Sequence, residues 1–259
     1  MNYHTLRLEK SGHVASVRLR RPEQSNALDR TALEELASAF AAINDDPEAH
    51  VGLLLAEGDV FCIGWDVSAF DDGSPLESAR RERLIDDSFS FINNCSKPVI
   101  AAVQGDAVSA GLELALACDV RIAGESARFA LPETSLGLLP MGGGTQRLPR
   151  VVGRAKALAM ILLGETLDAS EALVCGLVSR VVPDERLAAE AMALAQRIAD
   201  RGPLAVRYAK EAVSRGVEMP LEQALRFETD LTVILQTTED RAEGVRAFLE
   251  KRRPQFKGR

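Results

Sequence analysis

Lys97-Pro98-Val99-Ile100-Ala101-Ala102-Val103-Gln104-Gly105-Asp106-Ala107-Val108-Ser109-Ala110-Gly111-Leu112-Glu113-Leu114-Ala115-Leu116-Ala117-Cys118 is the stretch that decides the fold. Pro98–Val103 is a short continuous apolar run, the pattern of a strand buried on both faces. Gly105 interrupts it, and the apolar segment from Ala110 to Cys118 is predicted to be a helix. Upstream, Val51–Ala56 repeats the buried-strand pattern, and Val14–Leu19 alternates as a strand closed by Arg21-Pro22-Glu23. Asp29 is placed to cap a helix that carries Leu33, Leu36, Ala37, Phe40 and Ile43 on one face and stops before Asp45-Asp46-Pro47. A further helix is expected from about Leu76 to Asn93. Downstream, Val120–Ala123 and Arg128–Ala130 read as strands. Strands alternating with helices indicate βαβ-like units and an α/β class.

From Arg154 the period becomes helical, broken by one extended piece at Leu177–Val182. After Gly202-Pro203 come helical stretches near Leu204–Arg215, Leu221–Gln236 and Asp240–Lys251. This tail reads as an appendage whose Leu, Val and Phe positions need a surface to cover, on the body or on another subunit.

Composition narrows the function. A chain of 259 residues, 46% hydrophobic and 27% charged, has the makings of a large folded core. A net charge of -7 argues against nucleic-acid binding, although a few local cations or N–H groups suffice for an anionic ligand. Cys62, Cys95, Cys118 and Cys175 show no CxxC spacing, and Cys62 and Cys118 sit in apolar runs as small core residues. Met1-Asn2-Tyr3-His4 has no signal-peptide pattern, and no apolar run approaches the ~20 residues that span a bilayer. A reducing cytoplasm is the expected location, with no membrane partner. His4, His13 and His50 all lie in the first fifth of the chain, so no Ser-His-Asp or Cys-His arrangement suggests itself. No cluster has metal-ligand spacing either, and no metal is expected.

What remains is carboxylate chemistry. Glu113 and Glu133 are twenty residues apart, each in an apolar stretch beside a turn. Carboxylates are rarely buried without a partner or a task. Two whose surroundings separate their pKa values can supply one acid and one base at neutral pH. Ser109 is a candidate N-cap, its hydroxyl accepting from the N–H of Gly111 or Leu112. The Ala110 amide, at the first helical position, then has no intrahelical acceptor and can hold an oxyanion. A plain glycine-containing turn explains the same residues. In Val60-Phe61-Cys62-Ile63-Gly64-Trp65-Asp66, the amides of Gly64 and Trp65 either face a ligand or belong to a turn anchored by the Trp65 ring. Pro140-Met141-Gly142-Gly143-Gly144 matches no phosphate-binding loop and suits a backbone pressed against an active-site wall.

Together these segments resemble the crotonase (enoyl-CoA hydratase/isomerase) superfamily. The likeness runs through Arg21-Pro22-Glu23 with Asn26-Ala27-Leu28, Phe61-Cys62 to Asp66, Lys97 to Val103, Gly105 to Asp119, Pro132-Glu133 to Leu148, Gly176-Leu177-Val178 to Pro183, and Ala247 to Arg252. The resemblance implies a ββα spiral core over residues 1–200 that binds an acyl-CoA thioester. It implies a helical region over 201–259 that makes a homotrimer or a dimer of trimers. Coenzyme A enters as part of the substrate, and no separate cofactor is implied. By position, the Trp65 and Ala110 N–H groups form the oxyanion hole and Glu113 and Glu133 flank the catalytic water. Gly64, Asp66, Gly111, Pro140, Met141 and Gly142 line the pocket. The presence of both glutamates favours hydration of a 2-enoyl-CoA, with Glu133 the proton donor to Cα and Glu113 the base. An enoyl-CoA isomerase and a non-catalytic acyl-CoA-binding homologue are the alternatives. Ser109-Ala110, Trp65 and Met141 depart from the family's usual small residues at these points, which leaves the substrate open.

Overall fold

The computed structural model describes residues 3–66 and 89–259. Most of the helix expected from about Leu76 to Asn93 lies outside them, and residues 89–93 are helical.

A six-stranded sheet has the order β1 (Leu6–Ser11), β2 (Val14–Leu19), β3 (Val51–Ala56), β4 (Val99–Val103), β6 (Val120–Gly124), β9 (Arg180–Val182). The β1–β2 hairpin is antiparallel and every later pairing is parallel. A second sheet holds β5 (Asp106–Val108), β7 (Arg128–Ala130) and the two-residue β8 (Leu167–Asp168).

The central strands β3 and β4 are apolar and buried throughout because both faces of the large sheet are covered there. One set of alternating residues, including Leu53, Leu55, Ile100, Ala102 and Ile122, packs under the helix Leu187–Ala199 through Leu187, Ala191, Ala195 and Ala199. The other set, including Leu54, Val99, Ala101 and Val103, packs into the main core with Leu36 and Phe40 of the helix Arg30–Asp45. Asp29 caps that helix as expected, accepting from the Ala32 N–H at 2.8 Å. At the open edge, Arg7, Glu9 and Lys10 of β1 make the strand a poor template for a further strand.

The two sheets are linked by a repeated step. Each chain segment leaves the large sheet, adds one rung to a second, parallel stack, and continues into the next segment. The rungs pair in order: Leu28 with Trp65, Cys62 with Ala107, Ala107 with Phe129. Successive ββα turns therefore form a spiral, as the family resemblance implies. Asn26, buried and at φ 53, ties the first turn together: it accepts from the Arg21 N–H and donates to the Glu57 and Val60 carbonyls.

Beyond Gly202 the chain forms three helices, Pro203–Gly216, Leu221–Gln236 and Glu239–Leu249. Leu231 is covered within the chain, whereas Val213, Leu221, Leu225, Ile234 and Phe248 are exposed. Among the described residues no helix is long and apolar enough to cross a membrane.

Candidate active site

The site lies where the rungs of the second stack hand over to helices. Gly64 has φ +107, and a Cβ there would approach the Ser109 Cβ to 2.6 Å and the Val108 carbonyl to 2.9 Å. A Cβ at Gly111 would overlap the Cys62 carbonyl. Glycine at both positions therefore lets the Cys62–Asp66 segment lie directly on the start of the helix Ala110–Ala117.

This contact orients two amides. The Leu28 N–H donates to the Gly64 carbonyl at 2.7 Å and the Asp66 N–H to the Leu28 carbonyl at 2.9 Å. Extended backbone alternates its N–H directions, so the intervening Trp65 N–H is turned away from Leu28. Ala110 opens its helix, so its N–H has no acceptor within that helix. Its neighbours are committed: the Ser109 N–H donates to the Ala130 carbonyl, and the Leu112 and Glu113 N–H groups donate to the Ser109 carbonyl.

The expected Ser109 cap does not form. Ser109 takes φ 55 and ψ -129 rather than extended backbone, and its hydroxyl makes no bond to the helix. Seated against Gly64, it interacts with the Glu133 carboxyl instead.

Both glutamates are buried. Glu113 sits on a helix whose every residue is buried, and Glu133 opens the 3-10 turn Glu133–Leu136 after Pro132. The Gly144 N–H donates to Glu113 Oε1 at 2.8 Å. Glu113 Oε2 and both Glu133 oxygens have no protein hydrogen-bond partner of normal geometry among the described residues. Burial pushes Glu113 from an ordinary value of 4.5 up to about 7; the Gly144 and Gly142 N–H groups oppose this, the Glu133 charge adds to it, and Arg147 opposes it. Glu133 is raised chiefly by burial, against its own N–H and the Ser109 hydroxyl.

The glycine run forms a cradle for Glu113. A Cβ on Gly144 would stand 2.9 Å from Glu113 Oε1, and one on Gly142 would stand 2.8 Å from Oε2 and overlap the Phe89 ring. Phe89 is a site residue the sequence reading did not single out, since nothing in its helical pattern separates it from a core aromatic. It is buried, seals Gly142 beside Glu113, and tilts against Trp65 with ring centroids 6.1 Å apart. Pro140 is buried behind Gly144, whereas Met141 is 40% exposed. Asp66 is adjacent in the chain, but its carboxylate is 3.7 Å from Arg21, which also pairs with Asp29 at 2.7 Å. The Asp66 side chain thus braces the loop. No metal-binding cluster of His, Cys, Asp or Glu occurs among the described residues.

The arrangement offers two directed amides, two buried carboxyls raised toward neutrality, and a strip of glycine backbone. Such a site can stabilise charge on a carbonyl oxygen while moving protons nearby.

The family model described as enoyl-CoA hydratase/isomerase matches residues 9–259. The chain is 39% identical over 257 residues to a crotonyl-CoA hydratase from Syntrophomonas wolfei, covering 99% of each. It is 40% identical over 254 residues to a 2,3-dehydroadipyl-CoA hydratase from Escherichia coli, covering 97% of this chain and 98% of that one. The structure is similar to a crystal structure of an enoyl-CoA hydratase from Bacillus anthracis, with a TM-score of 0.96 and 38% identity over 99% of this chain and 100% of the other.

Proposed function

The chain belongs to the enoyl-CoA hydratase/isomerase family, and from that premise we propose that it hydrates the 2,3 double bond of a 2-enoyl-CoA thioester. The observation that carries this reading is the burial of Glu113, beside the Gly142–Gly144 turn, and of Glu133 within electrostatic reach of it. Water addition needs a proton taken from water and a proton given to Cα, and two carboxyls supply both.

In the proposed mechanism the thioester oxygen lies between the Trp65 and Ala110 N–H groups. Adding water at Cβ pushes electrons toward that oxygen, and the amides stabilise the enolate-like charge as it develops. A donor of this kind contributes on the order of 3 kcal/mol. Both carboxyls are raised, so the shifts do not sort acid from base; the family resemblance gives Glu113 as the base and Glu133 as the proton donor, and the Gly144 N–H at Glu113 supports that choice. A carboxylate that accepts N–H bonds is favoured in its ionised form, and Glu113 is the one held by the Gly144 N–H. Glu113 therefore takes the proton from water. Glu133, whose pKa burial raises, is assigned the proton delivered to Cα.

The test is hydration of crotonyl-CoA, followed as loss of the enoyl-thioester absorbance. No turnover of crotonyl-CoA or of longer 2-enoyl-CoA thioesters would sink the reading. A pH profile adds a signed expectation. Protonated Glu113 cannot take a proton from water, so kcat/KM should fall as pH drops through about 7. A flat profile from pH 5.5 to 8 would contradict the role given to Glu113.

We further propose that residues 201–259 assemble the chain into a homotrimer or a dimer of trimers. Exposed Val213, Leu221, Leu225, Ile234, Phe248 and Leu249 on the last three helices leave apolar surface that a second copy would cover. Light scattering should give a trimer or hexamer mass, and a monomer at micromolar concentration would exclude it.

A further inference from the structure

We infer that Arg147 is a positioning residue that acts on Glu113 through the Gly142–Gly144 turn. The inference rests on the hydratase reading only for its consequence in turnover, not for the contact itself. Arg147 grips the turn at two points. Its guanidinium donates to the Gly142 carbonyl at 2.7 Å, and its backbone N–H donates to the Gly143 carbonyl at 2.7 Å. Between them Gly143 takes φ +99 and lies flat against the guanidinium, leaving no room there for a Cβ.

Fixing the Gly142 carbonyl toward Arg147 fixes the rest of the turn. The next amide but one, Gly144, is the donor to Glu113 Oε1 at 2.8 Å, and the Gly142 N–H also bears on this carboxyl. The guanidinium thus acts twice on Glu113. It aims the turn that supplies the N–H donors, and its own charge reaches the carboxylate. Facing Glu113 from the other elements are the Glu133 carboxyl and the apolar Phe89 ring by way of Gly142. Both of these disfavour its ionised form. Arg147 and the amides it holds are the counterweight that keeps the carboxylate accessible near neutral pH. A planar guanidinium suits this better than an ammonium, because it bonds a carbonyl in a fixed direction and keeps its charge.

The experiment compares wild type with Arg147→Met, Arg147→Gln and Arg147→Lys. Carbon-13 NMR on protein labelled at the glutamate carboxyls gives the Glu113 titration midpoint, with the resonance assigned by its loss in Glu113→Gln. Removing the cation should raise that midpoint by about one pH unit. The acid limb of kcat/KM for crotonyl-CoA should move up with it, so that activity falls about fivefold at pH 7 and recovers by pH 9. Lysine should restore part of the shift, because it returns charge without the fixed fork. A merely structural Arg147 would lower activity equally at every pH and leave the midpoint unmoved. An unmoved midpoint in any folded variant among the three overturns the inference. A shifted midpoint in a protein whose wild type does not hydrate enoyl-CoA would uphold the coupling and defeat the hydratase reading instead.

Discussion

Glu113→Gln and Glu133→Gln should each lower kcat/KM for crotonyl-CoA by ~10²–10⁴-fold, because an amide neither accepts nor delivers the proton that each step requires. The Glu113 change carries a second, opposite effect. Its carboxyl is raised from 4.5 to about 7, so between those values the folded chain binds more protons than the unfolded one, and stability falls as pH rises through that window. At ~1.4 kcal/mol per pH unit, an ionised Glu113 above pH 7 costs about 3 kcal/mol. Glutamine avoids that cost, and its amide oxygen can still accept from the Gly144 N–H. The variant should therefore be more stable than wild type at pH 8 and indistinguishable at pH 4. Urea midpoints at the two pH values, with kcat/KM at pH 8, test both halves. Near-normal turnover in either variant would remove that residue from the mechanism. Equal stability at pH 8 would mean that burial does not strain the Glu113 charge.

The large-sheet strands were the most legible part of the chain. Val14–Leu19 and Val51–Ala56 form over the predicted residues, because sheet burial imposes a hydrophobic pattern that each strand carries by itself. In the second stack Arg128–Ala130 reads as a strand and forms over those residues, but the other rungs carry no such pattern. Asp106–Val108 and Leu167–Asp168 are three and two residues long and are held by their neighbours rather than by their own composition. β1 was also missed, since an exposed edge strand with Arg7, Glu9 and Lys10 lacks the clean alternation of a half-buried one. In the tail, helical spacing placed Leu221, Leu225, Leu231 and Ile234 on the apolar face. Only tertiary packing distinguishes Leu231, covered within the chain, from the exposed others.

The site divides in the same way. Two glutamates in apolar stretches announce a problem of buried charge, and a glycine run announces a close approach; both are local signals. Which backbone each glycine admits is a tertiary fact. Gly111 makes room for the Cys62 carbonyl, and Gly142 for Phe89 and Glu113. Phe89 meets Gly142 across a long stretch of chain, and Arg147 bonds the turn just before it, but the reach of that turn to Glu113 is tertiary and has no sequence signature. Ser109 shows the limit most plainly. A serine before a helix predicts a cap, yet contact with Gly64 and Glu133 places it at φ 55 and turns its hydroxyl elsewhere.

Replacing Ala110 by its hydroxy-acid analogue, lactic acid, should lower kcat by ~10²–10³-fold while leaving the fold intact. The substitution exchanges one N–H for an ester oxygen and keeps the methyl group. That matters because Ala110 is fully buried and follows a residue at positive φ, where a proline ring would add bulk and strain. The lost N–H makes no bond within its own helix, so little stability should go with it. In the proposed transition state, by contrast, that N–H faces the oxygen on which charge develops, and losing one such donor would cost ~3–4 kcal/mol of barrier. The same exchange at Ala117, the last residue of the helix, is the control, since the N–H it removes lies where the helix supplies an acceptor. There, stability should fall by ~1 kcal/mol with turnover nearly unchanged. Both esters are compared by thermal midpoint and by kcat on crotonyl-CoA. If the Ala110 ester turns over as fast as the Ala117 ester, the charge is held elsewhere and the Ala110 amide is only the first turn of a helix. If its kcat falls by the expected factor with the midpoint unmoved, the amide acts on the transition state alone, because a donor that bound substrate equally well would raise KM instead.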